Sequence, residues 1–214
     1  MPDTTAPIHV IDDEVTVRDL VRDVLASVNL ASCGWADPLE FLSAVARLSV
    51  DALIVDVRLR GLSGLELVRS LREAGVQSPV IFVSGVAEVP VAVEAMKLGA
   101  VDFLQKPFQS QVLIDVVQAA LRLRSSQRQQ DAVRTRCLGL VASLSRRERE
   151  VLDGVIGGNA NKVIAIDLGI SEKTVEEHRS RVMAKLRASS VADLVRISVM
   201  AGICDPFAAP SSPR

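Results

Sequence analysis

Asp12 and Asp13, Asp56, Ser84 and Lys106 are residue types that could together carry phosphoryl chemistry. Each lies at the end of an apolar run of strand length: IHVID at 8 to 12, DALIVDV at 51 to 57, PVIFVSG at 79 to 85, and VDFLQK at 101 to 106, just before Pro107. Carboxylates brought close together repel one another, and a hard divalent ion such as Mg2+, commonly held by one or two carboxylates and several waters, relieves that repulsion. Beside such an ion, which bridges to phosphoryl oxygens and neutralises developing charge, one of the acids can serve as a nucleophile. A lysine amine and a hydroxyl on neighbouring strands then hold the remaining oxygens. Taken singly, a strand-end Asp is more often a cap or a turn residue; it is the set that points to chemistry.

Positioning such a set requires a sheet. After the first run, Val17, Leu20, Val21, Val24, Leu25 and Val28 recur at helical spacing and form one stripe. The unit repeats. ASCGWA is a weak strand, Asp37-Pro38 supplies an N-cap and a first-turn proline, and Leu39, Leu42, Val45 and Ala46 give the next apolar face. DALIVDV reads as a strand buried on both faces, followed by a helix from about Gly64 to Ala74. PVIFVSG precedes a helix over 88 to 98, and VDFLQK precedes one marked by Leu113, Val116, Val117, Ala120 and Leu121. Five βα units predict a doubly wound parallel sheet, in which ligands sit at the carboxyl ends of strands where the strand order reverses.

From Arg122 the chain becomes polar and rich in Gln and Arg, and from Ser143 it is entirely helical. The expected organisation is an α/β domain over 1–124, a solvated helical linker over 125–142, an all-α domain over 143–204 and a disordered tail over 205–214. The net charge of -1 conceals an asymmetry: residues 1–124 hold 11 Lys and Arg against 16 Asp and Glu, and the rest hold 14 against 10. A basic second half suits a polyanionic partner. No apolar run approaches the roughly 18 residues of a membrane helix, and MPDTTAPIHV lacks the basic and apolar regions of a secretory signal, so a cytoplasmic protein is expected. Cys33, Cys137 and Cys204 are odd in number and lack CxxC spacing, which argues for reduced, unpaired thiols.

The acids, the hydroxyl and the Lys106-Pro107 pair resemble the receiver domain of two-component response regulators. That resemblance implies a flavodoxin-like fold, a phospho-acceptor at Asp56, and Mg2+ held by Asp13 directly, Asp12 through water, Asp56, and Arg58 through its main-chain carbonyl. It further implies that Ser84 is the switch hydroxyl, Phe103 the switch aromatic and Lys106 the phosphate-pairing cation. Ser84 stands where Thr is usual, and Phe103 lacks a phenolic OH; neither change removes chemistry.

The second half, with LSRREREVL, NKVIAIDLGISEKTVEEHRSRVMAKL and SSVADLVR, resembles the LuxR-type helix-turn-helix. Val163, Ile164, Leu168, Ile170, Val175, Val182 and Leu186 are spaced for a small three-helix core, with Gly169 permitting a left-handed turn. Ser171 to Leu186 is the expected recognition helix for the major groove, offering Lys173, Thr174, Glu177, His178, Arg179 and Arg181 to DNA, while Lys162 begins the supporting helix. Two adjacent acids, Glu176 and Glu177, are unusual in such a helix. Val191, Leu194 and Val195 exceed what that core buries and are assigned, with Val91 on the fourth α/β helix, to dimer contacts.

The whole chain resembles the NarL/FixJ class, and VPVAVEAMKLGAVDFLQKPF is similar to FixJ-like regulators in particular. The resemblance implies a transcription factor, not an enzyme, that a sensor histidine kinase phosphorylates, that dimerises and binds a double-stranded operator, and that works with RNA polymerase and no membrane. A receiver serving only as a phosphate-independent interaction scaffold is the competing expectation.

Overall fold

Leu53 and Val55 of β3 (Leu53–Asp56), and Val80 and Phe82 of β4 (Val80–Ser84), face one side of a sheet, whereas Ile54, Ile81 and Val83 face the other. Both sides are buried, which is why these strands read as unbroken apolar runs rather than alternating ones. The computed structural model describes residues 8–86 and 88–204. They divide into two compact units, the first ending at Gln127.

In the first unit β1 (Ile8–Ile11), α1 (Val15–Ala26), β2 (Ser32–Trp35), α2 (Pro38–Ala44), β3, α3 (Gly64–Glu73), β4, α4 (Val89–Lys97), β5 (Asp102–Gln105) and α5 (Ser110–Ala142) follow in order. The five strands are parallel in the order β2-β1-β3-β4-β5, the doubly wound arrangement expected from the βα repeats. Phe41 of α2, Leu67 and Leu71 of α3 and Ala95 of α4 pack on one face. Val21 and Leu25 of α1, with Leu113, Val117 and Ala120 of α5, pack on the other. Asp37 caps α2 by accepting from the Leu39 amide at 2.8 Å, as its place before Pro38 implies.

The second unit holds the end of α5 with α6 (Arg146–Ile156), α7 (Asn161–Leu168), α8 (Glu172–Leu186) and α9 (Val191–Met200). Residues 125–136 of α5 are exposed, as a solvated linker requires, but Cys137 and Val141 are buried among Val151, Val155 and Leu194. Gly169 adopts φ +64 between α7 and α8, and Ser171 caps α8 by accepting from the Thr174 amide at 3.1 Å. Ile164, Val175, Val182 and Leu186 form the core together with Leu194 and Ile197. Val163 does not join it: at 44% exposed, it lies on the outward side of α7, one residue before the inward Ile164. The tail from 205 lies outside the described residues.

An ion pair between the buried Glu148 and the exposed Lys185 fastens α6 to α8. Glu148 caps its own helix by accepting from the Ser145 amide at 2.8 Å and takes the Lys185 ammonium at 2.6 Å, which pulls its carboxyl down to about 2, the Lys185 hydrogen bond first and the Ser145 amide second. Its contribution is complete above the ordinary carboxylate range and disappears as pH falls from about 4.5 toward about 2. Glu148→Gln, which keeps the cap but loses the charge, is expected to cost the second unit about 1 kcal/mol at neutral pH, and Glu148→Ala about 2 kcal/mol. Denaturant melts of the isolated variants against wild type check the ranking, and the Gln variant should lose the acid-dependent part of the transition.

Candidate metal centre and nucleic-acid interface

The strand order reverses at β1, whose neighbours are β2 and β3, so the crevice at the carboxyl ends of β1 and β3 is the switch point. Register fills it with acids. Ile11 lies opposite Val55, so the next residues, Asp12 and Asp56, come side by side. Ser84 lies opposite Gln105, which brings Lys106 beside it, and the Lys106 amide donates to the Ser84 carbonyl at 2.7 Å. Gly64 opens α3 directly behind Asp56, its amide donating to the Val57 carbonyl at 3.0 Å; a side chain there would overlap the Asp56 main-chain oxygen.

Asp12, Asp13 and Asp56 each present a carboxylate oxygen within 4.8 Å of the others. Asp12 is fully buried, accepting from the Lys106 ammonium at 2.7 Å and the Glu14 amide at 2.9 Å. The same ammonium stands 3.5 Å from Asp56 Oδ2 and 3.4 Å from Glu14. Burial raises the Asp56 carboxyl to about 6; the Lys106 charge opposes the shift and the Asp12 charge adds to it. Burial also works against the Lys106 ammonium, but the hydrogen bond to Asp12 and the charges of Asp12, Asp56 and Glu14 outweigh it and hold its proton more firmly than usual.

Within the acid cluster one buried carboxylate oxygen is left without a partner. Asp56 Oδ1 is buried and accepts no hydrogen bond, a costly state for a carboxylate oxygen in a nearly closed site. Three convergent carboxylates with an orphaned oxygen and no sulfur or imidazole donor among them fit a hard, oxygen-seeking divalent ion.

The surrounding residues are less uniform. Ser84 is buried, with its hydroxyl donating to the Val86 carbonyl at 2.9 Å and accepting from the Val86 amide at 3.2 Å. Phe103 is half-buried, packed against the core. The Arg58 side chain turns outward to Glu88 at 2.9 Å. Arg60, Glu14 and Glu88 all border the site and carry no local sequence signal, since each is a surface charge within an otherwise ordinary loop.

On α8, Lys173, Glu177 and Arg181 are exposed at successive i, i+4 positions, so Glu177 stands between two cations, 3.9 Å from Arg181. Thr174 and His178 line the adjacent half-buried strip, with the Thr174 hydroxyl 2.8 Å from that of Ser171. Arg179 is committed inside the unit, donating to Asn161 Oδ1 at 3.0 Å and tying α8 to the start of α7. Lys162 is exposed beside it.

One of the residues assigned to dimer contacts, Leu194, lies in the core instead. Leu194 is fully buried within its own unit, because its side of α9 continues to Ile197 and Ala201 in the core. Val91 is half-buried against the sheet, and the apolar surface of α4 is presented instead by Val89, Val93 and Met96, at 75%, 47% and 50% exposed. Val191 is exposed and Val195 half-buried.

Two family models match the chain: the response regulator receiver domain over residues 8–118, and the luxR family of bacterial regulatory proteins over 142–198. The chain is 44% identical over 203 residues to the transcriptional regulatory protein FixJ of Azorhizobium caulinodans, covering 95% of this chain and 96% of that one. It is 39% identical over 198 residues to the response regulator protein TodT of Pseudomonas putida, covering 92% and 87%. Among solved structures, the response regulator StyR superposes with a TM-score of 0.81 at 35% identity, over 91% of this chain and 99% of that one. Full-length FixJ from B. japonicum gives 0.56 at 40% identity, over 95% and 100%.

Proposed function

Because this chain belongs to the NarL/FixJ response regulators, which join a receiver to a LuxR-type DNA-binding domain, we propose that Asp56 takes a phosphoryl group from a sensor histidine kinase and that the modified receivers then pair on DNA. The observation that carries the reading is the buried Asp56 carboxylate at the switch point, with one oxygen unpartnered and a lysine ammonium beside the other. In the transfer, the P–N bond to the kinase imidazole breaks as a P–O bond to the Asp56 carboxylate forms. The raised basicity of Asp56 favours its attack, since it is mostly ionised at pH 7 and yet more basic than an ordinary carboxylate.

Asp13, Asp56, the Arg58 carbonyl and, through water, Asp12 would hold Mg2+, which when bound would supply positive charge to the phosphoryl oxygens. Lys106 pairs with a second phosphoryl oxygen, which requires it to loosen its bond to Asp12. Ser84 leaves its Val86 partners to donate to a third, and Phe103 turns inward into the volume so vacated. Val89, Val93 and Met96 supply the receiver dimer surface, with Val191 and Val195 serving the paired output domains. RNA polymerase and a double-stranded operator complete the set of partners. No described helix is long and apolar enough to cross a membrane, and a cytoplasmic site of action follows from these partners.

Intact mass and light scattering on the full chain, incubated with magnesium and a small phosphodonor, test this. Gain of one phosphoryl mass together with dimerisation supports the switch; a monomer that carries the phosphoryl group breaks the coupling and favours the scaffold reading. At the DNA face, Arg181→Ala is expected to weaken binding alike on all sequences and to lower the salt slope by about 1, as for a lost phosphate contact. Glu177→Gln should instead change preference at one base pair, by about 1–3 kcal/mol. Titrations over two salt concentrations and a panel of single-base operator variants separate the two effects.

A further inference from the structure

We propose that Arg60 is a built-in counter-ion that competes with the divalent cation for Asp13, so that the loop after β3 sets how much cation the acceptor site requires. The inference rests on the magnesium reading above. Arg60 donates from Nε to Asp13 Oδ2 at 2.9 Å. The two side chains differ sharply in setting: that of Asp13 is 19% exposed and that of Arg60 is 91% exposed. The guanidinium therefore reaches in from water to a carboxylate of the cluster while most of it stays hydrated, which makes the bond exchangeable.

The three acids divide the available cations between them. Lys106 serves Asp12 and Asp56, and Arg60 serves Asp13. The side chain of neighbouring Arg58 is turned away to Glu88 and pairs with none of the three acids. Arg60 is held where it can act. Leu59 and Leu62 on either side of it pack against the core, Gly61 takes φ +83, and the Leu62 amide donates to the Arg60 carbonyl at 3.0 Å. The backbone is thereby pinned while the long side chain is left to swing.

A divalent ion on Asp13 and a guanidinium on the same carboxylate repel, so each weakens the other by the same factor. Arg60 relieves acid repulsion when the ion is scarce and must be displaced when the ion binds. The receiver then becomes competent for phosphoryl transfer only where the ion outcompetes its own arginine.

Calorimetric magnesium titrations of the full chain, with thermal melts in chelator, compare wild type, Arg60→Gln and Arg60→Lys. An exposed ion pair of this kind predicts that Arg60→Gln binds magnesium about two- to five-fold more tightly, with Arg60→Lys between it and wild type. Arg60→Gln should also melt lower than wild type in chelator and level with it in saturating magnesium. If wild type binds magnesium and Arg60→Gln binds it equally or more weakly, the competition is overturned while the acceptor site stands. If wild type binds no magnesium at all, the acceptor-site reading falls and takes this inference with it.

Discussion

Asp56→Asn is expected to abolish phosphoryl uptake completely while making the receiver more stable in the absence of divalent ions. The first half follows from chemistry, because an amide offers no anionic oxygen for attack on phosphorus. The second follows from linkage. With the carboxyl of Asp56 raised to about 6 by burial, the folded chain holds a proton that the unfolded chain releases from about 3.8 upward. Stability therefore falls as pH rises through the interval between those values, and at neutral pH the ionised Asp56 is a net cost. Replacing it by Asn removes that cost and leaves Lys106 shared by fewer acids; the gain should be about 1–2 kcal/mol at pH 7 in chelator. Magnesium should narrow the difference by stabilising wild type more than the variant. Melts at pH 4, 5, 6 and 7 check the sign, and an Asn variant less stable than wild type in chelator at pH 7 would mean that Lys106 compensates the buried charge fully.

Gly64→Ala is expected to have the largest effect of any substitution outside the acids. Its added carbon would overlap the Asp56 carbonyl oxygen and lie 3.0 Å from a methyl of Val55, and neither is the yielding end of a flexible chain. Either α3 moves off the sheet or β3 shifts, and overpacking of this kind costs about 1–3 kcal/mol or more. Both routes displace the acceptor carboxylate, so phosphoryl uptake and magnesium affinity should fall together by at least tenfold. Gly75→Ala is the comparison: its φ of +82 strains a side chain, but nothing lies within 4 Å, so it should cost about 1 kcal/mol and leave the site untouched. Thermal melts and magnesium titrations of both variants separate crowding at Asp56 from general loss of stability.

Much of the α/β unit was legible because burial on two faces writes itself into composition. DALIVDV and PVIFVSG are apolar throughout, and the acids, hydroxyl and lysine that interrupt such runs mark their ends. The edge strand β2 reads more weakly because none of SCGW is fully buried and Cys33 and Gly34 are open to solvent. Helical spacing located the face of α9 but not its cover: Val191, Leu194 and Val195 share a stripe, yet Leu194 enters the core of its own unit. The same limit misplaced Val163, one residue from the inward Ile164. The pairing of Glu148 with Lys185, 37 residues later, and of Asp13 with Arg60 joins long side chains across loops, and no local pattern encodes which charge meets which.

The strand order also has a meaning for synthesis on the ribosome. β1 emerges first; β2 pairs on one side of it, and β3, β4 and β5 then attach on the other side in the order in which they are translated. No later strand has to be inserted between two that have already paired. Each intermediate exposes a single growing edge, and the next strand out of the tunnel is the one that covers it, which limits the time such an edge is open to pairing with other nascent chains. Lys106, immediately after β5, is the last of the acceptor-site groups to emerge, so its ammonium reaches the acids only once the sheet is finished.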